Sequence, residues 1–546
     1  MELSGERIGQ VTRRYSTPLI HFFENQFIQL SVIIFLFFCG VLRNLDDSGL
    51  YMDSVNPEYW IARTLNPEIA NPVWIPPTVG PPALLTLYAG TQNYYFELPI
   101  IKILGFSNFS LRFAQSLIGV FILLIVYKII SHVTSRPKVG FLATLLLAID
   151  PSFVFSFRTQ FQVMLGGIVW FLLSLYFLFK SRIPDRSFTV YLSGISYGLA
   201  IYSYFIYVFF FPALLFIIIK KHRHNLAKNF RWILGLTFGL LPYAYGYLSM
   251  LVAVGSWKST LELIKGWLVM LNPAASSNES FLTRITSAVQ LGYQAFLNVG
   301  NQSVLIGELS TPRSADLKWA AICLVLVGAI MLGIKGSANS TPSSSREFIK
   351  IGCLLFVSYV FMAAIFGGRL APHHFILLVP LVYMGIGLSL AQFLSVKVPK
   401  YYLQSFVIFF VISVSSLSIL QSNLTYNRLE ETGGTGLATN ALTNLAIDAR
   451  QDPDNSIYIF PDWGFFMPFA FQTQNKVTYS LDASPASIES YLTQDKVVKV
   501  AFWSIESWEK NKTALENYGI NFEWTKEIYW RSDRQPAFIL VTVSQK

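Results

Sequence analysis

The chain has 546 residues, of which 53% are hydrophobic, 16% aromatic and only 13% charged, with a formal net charge of +10. Soluble domains carry about 25% charged residues, so the composition excludes an ordinary soluble enzyme and reads as a polytopic membrane protein. The positive charge does not point to nucleic acid, because the basic residues collect in short loops between apolar runs, as the positive-inside rule expects.

The first stretch, 1–26, is polar and basic and is expected to be a cytoplasmic segment. The apolar run Phe27 to Val41 lacks a small-residue cleavage site after it and reads as a retained span rather than a removed signal. At about 20 apolar residues per crossing, about eleven helices are expected. They fall near 27–43, 109–131, 139–157, 161–180, 188–220, 231–254, 317–335, 348–367, 373–394 and 403–421. The run 188–220 is too long for one crossing and is read as two, turning near Ser203. Arg7, Arg13, Arg14, Arg136, Lys138, Lys180, Arg182, Arg186, Lys220, Lys221, Arg223, Lys228, Arg231, Lys335, Arg346, Lys397 and Lys400 then all fall on one side. That side is expected to be the cytoplasm.

Three pieces are left for the opposite side, 44–108, 256–316 and everything after 421. The fold class expected is therefore a polytopic α-helical membrane protein with a transmembrane domain over 27–421 and a small extracytoplasmic α/β domain over 422–546. In that domain "SIYIF", "KVTYS", "KVVKVAFW" and "AFILVTV" read as strands, and "SIESYLTQ" and "WEKNKTALENYG" as helices. It carries no Gly-rich phosphate loop and no catalytic triad, so a cap or acceptor-docking role is expected for it. The three cysteines, Cys39, Cys323 and Cys353, lie in apolar runs without CxxC spacing, which suggests neither a zinc site nor disulfides.

Candidate chemistry sits on the outer side. "LDDSGLYMDSVNPEYW" places Asp46, Asp47, Asp53 and Glu58 in the first outer loop. The Pro-started "NPEYWIARTLNP" after Asp53 reads as a helix lying in the membrane interface with Trp60 at headgroup level. "WIPPTVGPPALLTLYAG" breaks at two Pro pairs and reads as a short interfacial or re-entrant helix. "AIDPSFVFSFRTQFQVML" puts Asp150 near the end of the third span and Arg158 at the outer face. A charge inside a span costs about 2.5–3.5 kcal/mol on insertion scales, so it calls for a partner or a task; for Arg158 snorkelling to the interface is the structural alternative. "FGGRLAPHHF" combines Arg369, His373 and His374 with paired glycines and a helix start, a pattern suited to holding a phosphate. Adjacent histidines on a helix point apart, which disfavours a shared metal. An acid that takes a proton and a basic site that holds a phosphate leaving group suit glycosyl transfer from a lipid phosphate.

These features together resemble the GT-C superfamily of integral-membrane glycosyltransferases, in the branch of protein O-mannosyltransferases, lipid A aminoarabinose transferases and family 39/83-like proteins. The similar elements are an early Asp in a long first outer loop (Asp53), "PPALLTLYAG", the block from Ile100 with Gly105 and Arg112, "GGRLAPHHFILLVP" and the C-terminal outer domain. The chain departs from that pattern at Ser54, where a second acid is common, at Gly80 before the Pro pair, and at Gln162, where an acid commonly follows the Arg. The resemblance implies a polyprenyl-phosphate sugar donor and inversion of the anomeric centre. It implies Asp53 as general base and Arg369, His373, His374 and Arg158 around the donor phosphate, with Glu58 and Asp47 as candidates for acceptor positioning. The metal is unknown; a divalent ion is compatible with the pattern and not required by it. The acceptor is a lipid, glycan or protein, the setting is the lipid bilayer of the cytoplasmic membrane, and no nucleic acid is expected. The alternatives are a multi-span transporter, a lipid-linked oligosaccharide polymerase or ligase, and a membrane scaffold.

Overall fold

The computed structural model describes residues 25–56, 59–73, 75–159, 162–180, 187–271, 279–307, 312–334, 343–366, 370–395, 399–451, 453–519 and 522–545. The protein is a polytopic helical membrane protein with a small C-terminal sheet region. The bundle opens with α1 (Gln26–Val41) and, after the first long loop, continues through α4 (Asn108–Thr134), α5 (Pro137–Ala148), α6 (Pro151–Thr159) and α7 (Gln162–Lys180). The loop itself holds α2 (Tyr59–Leu65), the strands β1 (Leu84–Thr86) and β2 (Ala89–Gly90), and α3 (Gln92–Leu104). Next come α8 (Ser187–Ser203), α9 (Phe211–Lys221), α10 (Leu226–Gly239), α11 (Leu241–Val254), α12 (Trp257–Leu271), α13 (Phe281–Phe296) and α14 (Val299–Ile306). The last bundle helices are α15 (Arg313–Ile334), α16 (Ser343–Phe366), α17 (Val379–Phe393) and α18 (Lys400–Thr432).

Among the described residues five helices are long and apolar enough to cross a membrane, and two bent pairs, α5 with α6 and α10 with α11, bring this to seven if each pair is one span. A helix stands at each of the expected crossings, but α1, α8 and α9 are shorter than the roughly 20 residues a full span needs. The long run 188–220 does break after Ser203, where a 3-10 segment, Phe205–Phe210, separates α8 from α9. The 50° bend between α5 and α6 has a local cause. Asp150 accepts a hydrogen bond from the Ser152 amide at 2.9 Å, so it caps α6 while Pro151 starts it. Helices α8 and α10 touch backbone to backbone, because Gly194 and Gly198 face Gly235 and Gly239; a Cβ on Gly194 would stand 2.2 Å from the Trp232 carbonyl oxygen. Small residues four apart are the usual means of such close packing in lipid. Exposed large apolar side chains such as Phe35, Leu248, Leu324, Val357 and Phe409 cover the outside of the bundle, as a lipid-facing surface requires.

The C-terminal region begins beyond α18, which runs on to Thr432 and ends on Gly433 in the left-handed conformation. It contains α19 (Ala441–Ala449), β3 (Ser456–Ile459), α20 (Phe466–Gln472), β4 (Tyr479–Ser480), α21 (Pro485–Leu492), β5 (Val497–Phe502), α22 (Ile505–Tyr518), β6 (Phe522–Trp530) and β7 (Pro536–Gln545). The mixed sheet has the order β4-β3-β5-β7-β6. The long first loop, the described residues of the 256–316 piece and this region meet at one end of the bundle. Asn71 Nδ2 donates to the Val477 carbonyl at 2.9 Å, and the Thr435 amide donates to the Leu305 carbonyl at 2.9 Å.

Two local expectations are corrected. "PPALLTLYAG" is a β-hairpin rather than a short helix. Its Pro pair and residues that suit a strand allow this, and Gly90 lets the chain press against Tyr202, where a Cβ would come within 2.3 Å of the ring. The helix after Asp53 forms, but its buried face, Tyr59, Ile61 and Ala62, packs into a core shared with Phe465, Phe466 and Phe469 of the C-terminal region instead of lying on lipid.

Candidate active site

Asp53 is placed by a clamp on the loop before it. Arg112, near the start of α4 and 1% exposed, donates to the Ser48 carbonyl at 3.0 Å, the Ser48 Oγ at 3.0 Å and the Gly49 carbonyl at 2.8 Å, and also to the Leu45 carbonyl. Hydrogen bonds from a charged donor are the stronger kind, and several converging from one rigid fork fix a loop well. Gly49 then passes so close to the C-terminal region that a Cβ would lie 2.0 Å from the Thr439 carbonyl oxygen. The chain next turns through a 3-10 segment, Met52–Val55. Ser54 Oγ donates to the Tyr51 carbonyl at 2.5 Å, and the Met52 sulfur accepts from the Gly464 amide at 3.1 Å. Ser54, standing where a second acid is common in the resembled pattern, is thus a buried turn residue.

The Asp53 carboxyl is pushed up to about 6, chiefly by burial, with a hydrogen bond from Tyr51 acting the other way. Desolvation disfavours the charged carboxylate, and a donor to it partly restores that form. Tyr88, at the tip of the hairpin, is pushed up by burial and by the Asp53 charge. Tyr204, at the α8 break, lies in the same field. The two tyrosine rings meet edge to face at 5.6 Å, and the Phe205 amide donates to the Tyr88 carbonyl at 2.9 Å.

Tyr204 also reaches the histidine pair. Its hydroxyl lies 3.5 Å from His374 Nε2. His374 Nδ1 accepts from the Ala371 amide at 2.9 Å, which assigns the neutral ring's proton to Nε2. The Tyr359 hydroxyl fixes the same residue by donating to its carbonyl at 2.5 Å. His373 and His374 do not point apart: their ring centroids are 4.1 Å from each other. The segment Pro372–Leu378 is a 3-10 turn rather than the first turn of an α-helix, and the α-helical spacing argument does not apply to it. Helix α13 borders the same region, with a cleft of about 310 Å³ lined by Arg284, Gln290, Gln294 and Leu370 among others.

The remaining candidates are placed differently. Arg158 is 1% exposed and donates to the carbonyls of Asn44 at 2.8 Å and Val41 at 3.4 Å. It closes the end of α1 and stacks 5.0 Å from the Tyr426 ring centre. Asp47 is half-buried beside the Arg112 clamp, one of its carboxylate oxygens has no hydrogen-bond partner, and its charge acts on both Arg112 and Arg158. Glu58 and Arg369 lie outside the described residues. Asp150 has a partner that the sequence reading missed: Lys318 on α15 pairs with it at 2.7 Å, and the Tyr383 hydroxyl donates to it at 2.5 Å. Among the described residues no three His, Cys, Asp or Glu side chains converge on one point. Tyr51, Tyr88 and Tyr204 were also missed; a tyrosine at the break of a long apolar run was the available signal for the last.

Residues 94–245 match the family described as dolichyl-phosphate-mannose-protein mannosyltransferase. The whole fold is similar to that of ArnT from Cupriavidus metallidurans bound to undecaprenyl phosphate, with a TM-score of 0.60 and 11% identity over 94% of this chain and 97% of that one. The apo state of the same protein gives a TM-score of 0.59, also at 11% identity over 94% and 97% of the two chains. The chain has an ArnT-like fold and carries, over residues 94–245, a stretch that matches the mannosyltransferase family. No curated protein matches this chain in sequence. The matched stretch includes Arg112 and Tyr204 but neither Asp53 nor the histidine pair.

Proposed function

We propose that the chain transfers a sugar from a polyprenyl-phosphate donor to an acceptor hydroxyl on the extracytoplasmic side of the cytoplasmic membrane, with inversion at the anomeric carbon. The acceptor oxygen attacks that carbon and the carbon–oxygen bond to phosphate breaks. The acceptor proton passes to the Asp53 carboxylate, and the polyprenyl phosphate departs with the bonding electrons. His374 donates from Nε2 toward the departing phosphate, with His373 stacked on it. Arg369 supplies charge in the same loop, and Arg284 supplies it in the adjoining cleft. Arg158 and Asp47 act from behind, holding the end of α1 and balancing the buried guanidiniums. The observation that supports the reading is the packing of Tyr204 between the two candidates: its ring meets that of Tyr88, which feels the Asp53 charge, and its hydroxyl lies 3.5 Å from His374 Nε2. An acid and a hydrogen-bond donor on either side of it are what general-base attack on a lipid phosphate sugar needs. A carboxyl held near 6 is a better base than an ordinary one and is still largely ionised at neutral pH. The undecaprenyl phosphate in the ArnT structure supports a donor of that class.

The test is to supply the purified chain with labelled polyprenyl-phosphate sugars and read the product anomer by NMR. Inverted product, with donor KM raised in His374→Ala, is expected. Retained configuration, or unchanged donor KM in both His373→Ala and His374→Ala, contradicts the reading.

A further inference from the structure

A cleft of about 410 Å³ opens between the end of α9 and the first half of α16. It lies far from the site above. Phe366, at the other end of α16, packs on Phe205 and Phe209 next to Tyr204, and helix rise puts Lys350 about 24 Å away from it. The rim of the cleft carries Lys220, Lys221 and Lys350, with Glu347 as the acid among them. Its floor is apolar and includes Phe216, Ile217 and Leu354. Glycosyl transfer at Asp53 uses none of these groups.

The three lysines are not equivalent. Lys221 donates to the Leu178 carbonyl at the end of α7, so its ammonium is held in place. Lys220 lies over the Phe216 ring at 5.6 Å, and it and Lys350 are exposed. The local field is positive: burial and the charges of Lys221 and Lys228 hold the neighbouring His222 imidazole down at about 4. On the same helix Phe216 and Ile219 are 54% and 50% exposed, so the basic rim adjoins a surface that faces lipid. A soluble anion would satisfy the rim and leave the apolar floor wet.

We infer that this cleft binds an anionic phospholipid, its phosphate on Lys220 and Lys350 and an acyl chain along the floor between α9 and α16. The shared chemistry is phosphate recognition by ammonium groups, and basic pockets between membrane helices commonly take lipid headgroups in this way. The inference does not depend on the transfer reaction and survives its failure.

The full chain in detergent, titrated with phosphatidylglycerol or phosphatidylcholine and read by native mass spectrometry, tests it. Phosphatidylglycerol should be retained in preference to phosphatidylcholine. Lys220→Gln and Lys350→Gln should each weaken its retention roughly fivefold, while Glu347→Gln, which removes the opposing charge, should strengthen it. Inorganic phosphate and glycerol 3-phosphate should not displace the lipid. Equal retention of the two lipids overturns the proposal, as does retention unchanged in both lysine variants and in Glu347→Gln. Displacement by either soluble phosphate at the lipid's own concentration would replace the lipid with a free phosphate.

Discussion

The Tyr204 hydroxyl lies 3.5 Å from His374 Nε2, and the same side chain stands in the field of the Asp53 carboxylate. One tyrosine from the middle of the bundle thus touches both Tyr88 of the first long loop and a turn about 170 residues further on. A hydrogen bond of this kind contributes about 0.5–1.5 kcal/mol net. Tyr204→Phe is therefore expected to lower kcat by about three- to tenfold while the fold survives, which a melting curve beside the transfer assay checks.

The raised Asp53 carboxyl makes a paired prediction about pH. Its folded value of about 6 exceeds the ordinary unfolded value of about 3.9. Between those two values the folded state holds more protons than the unfolded one, so this group's contribution to stability falls as pH rises from about 4 to about 6 and stays low above it. The expected loss is roughly 2–3 kcal/mol. Asp53→Asn removes the ionisation, so it should melt higher than the parent at pH 7 and lose that advantage at pH 4. Activity should run the other way, rising through an apparent pKa near 6 as the base ionises. An equal melting temperature of parent and variant at both pH values contradicts the burial of this carboxyl.

Gly49 tests the coupling of the Asp53 loop to the C-terminal region. With the Thr439 carbonyl oxygen only 2.0 Å from the position of a Cβ, Gly49→Ala must push one backbone off the other. Overpacking of this sort costs about 1–3 kcal/mol. Both the melting temperature and kcat should fall, whereas Gly105→Ala, with open space around its Cβ, should suffer only from its positive φ and leave the clamp at Arg112 in place.

The Asp150–Lys318 pair is buried on both sides, at 3% and 1% side-chain exposure. Removing one partner of such a pair costs about 3–5 kcal/mol, because the other is left charged and alone. Lys318→Met should therefore destabilise the protein strongly, and adding Asp150→Asn should recover most of the loss, as read by thermal unfolding in detergent.

The bundle was legible because lipid-facing helices must be apolar throughout and their loops carry the charge bias. The break after Ser203 and the strands at 456, 479, 497 and 536 followed from run length and residue type. What could not be read was set by tertiary contact. Tyr59–Leu65 has an amphipathic pattern that suits lipid or protein equally, and Phe466 decides between them. Strand Phe522–Trp530, with Glu523, Lys526 and Glu527 and most of its residues exposed on both faces, gives little hydrophobic signal. The glycines at 194, 198, 235 and 239 carried a readable four-residue spacing, although which helices they join is seen only in the structure. In the proposed site, Asp53 and the histidine pair stand out in the sequence as chemistry-bearing types in polar islands. Arg158 looked like one of them, and its guanidinium turned out to serve the carbonyls of Val41 and Asn44. Tyr204 is the reverse case, a neighbour of His374 hidden in an apolar run.

The most direct measurement compares Asp53→Asn with Asp47→Asn in membranes supplied with radiolabelled polyprenyl-phosphate sugar at matched expression. Loss of a general base lowers the rate by about 10²–10⁴-fold. The account predicts a fall of that size for Asp53→Asn and a much smaller one for Asp47→Asn; full transfer by Asp53→Asn would contradict it.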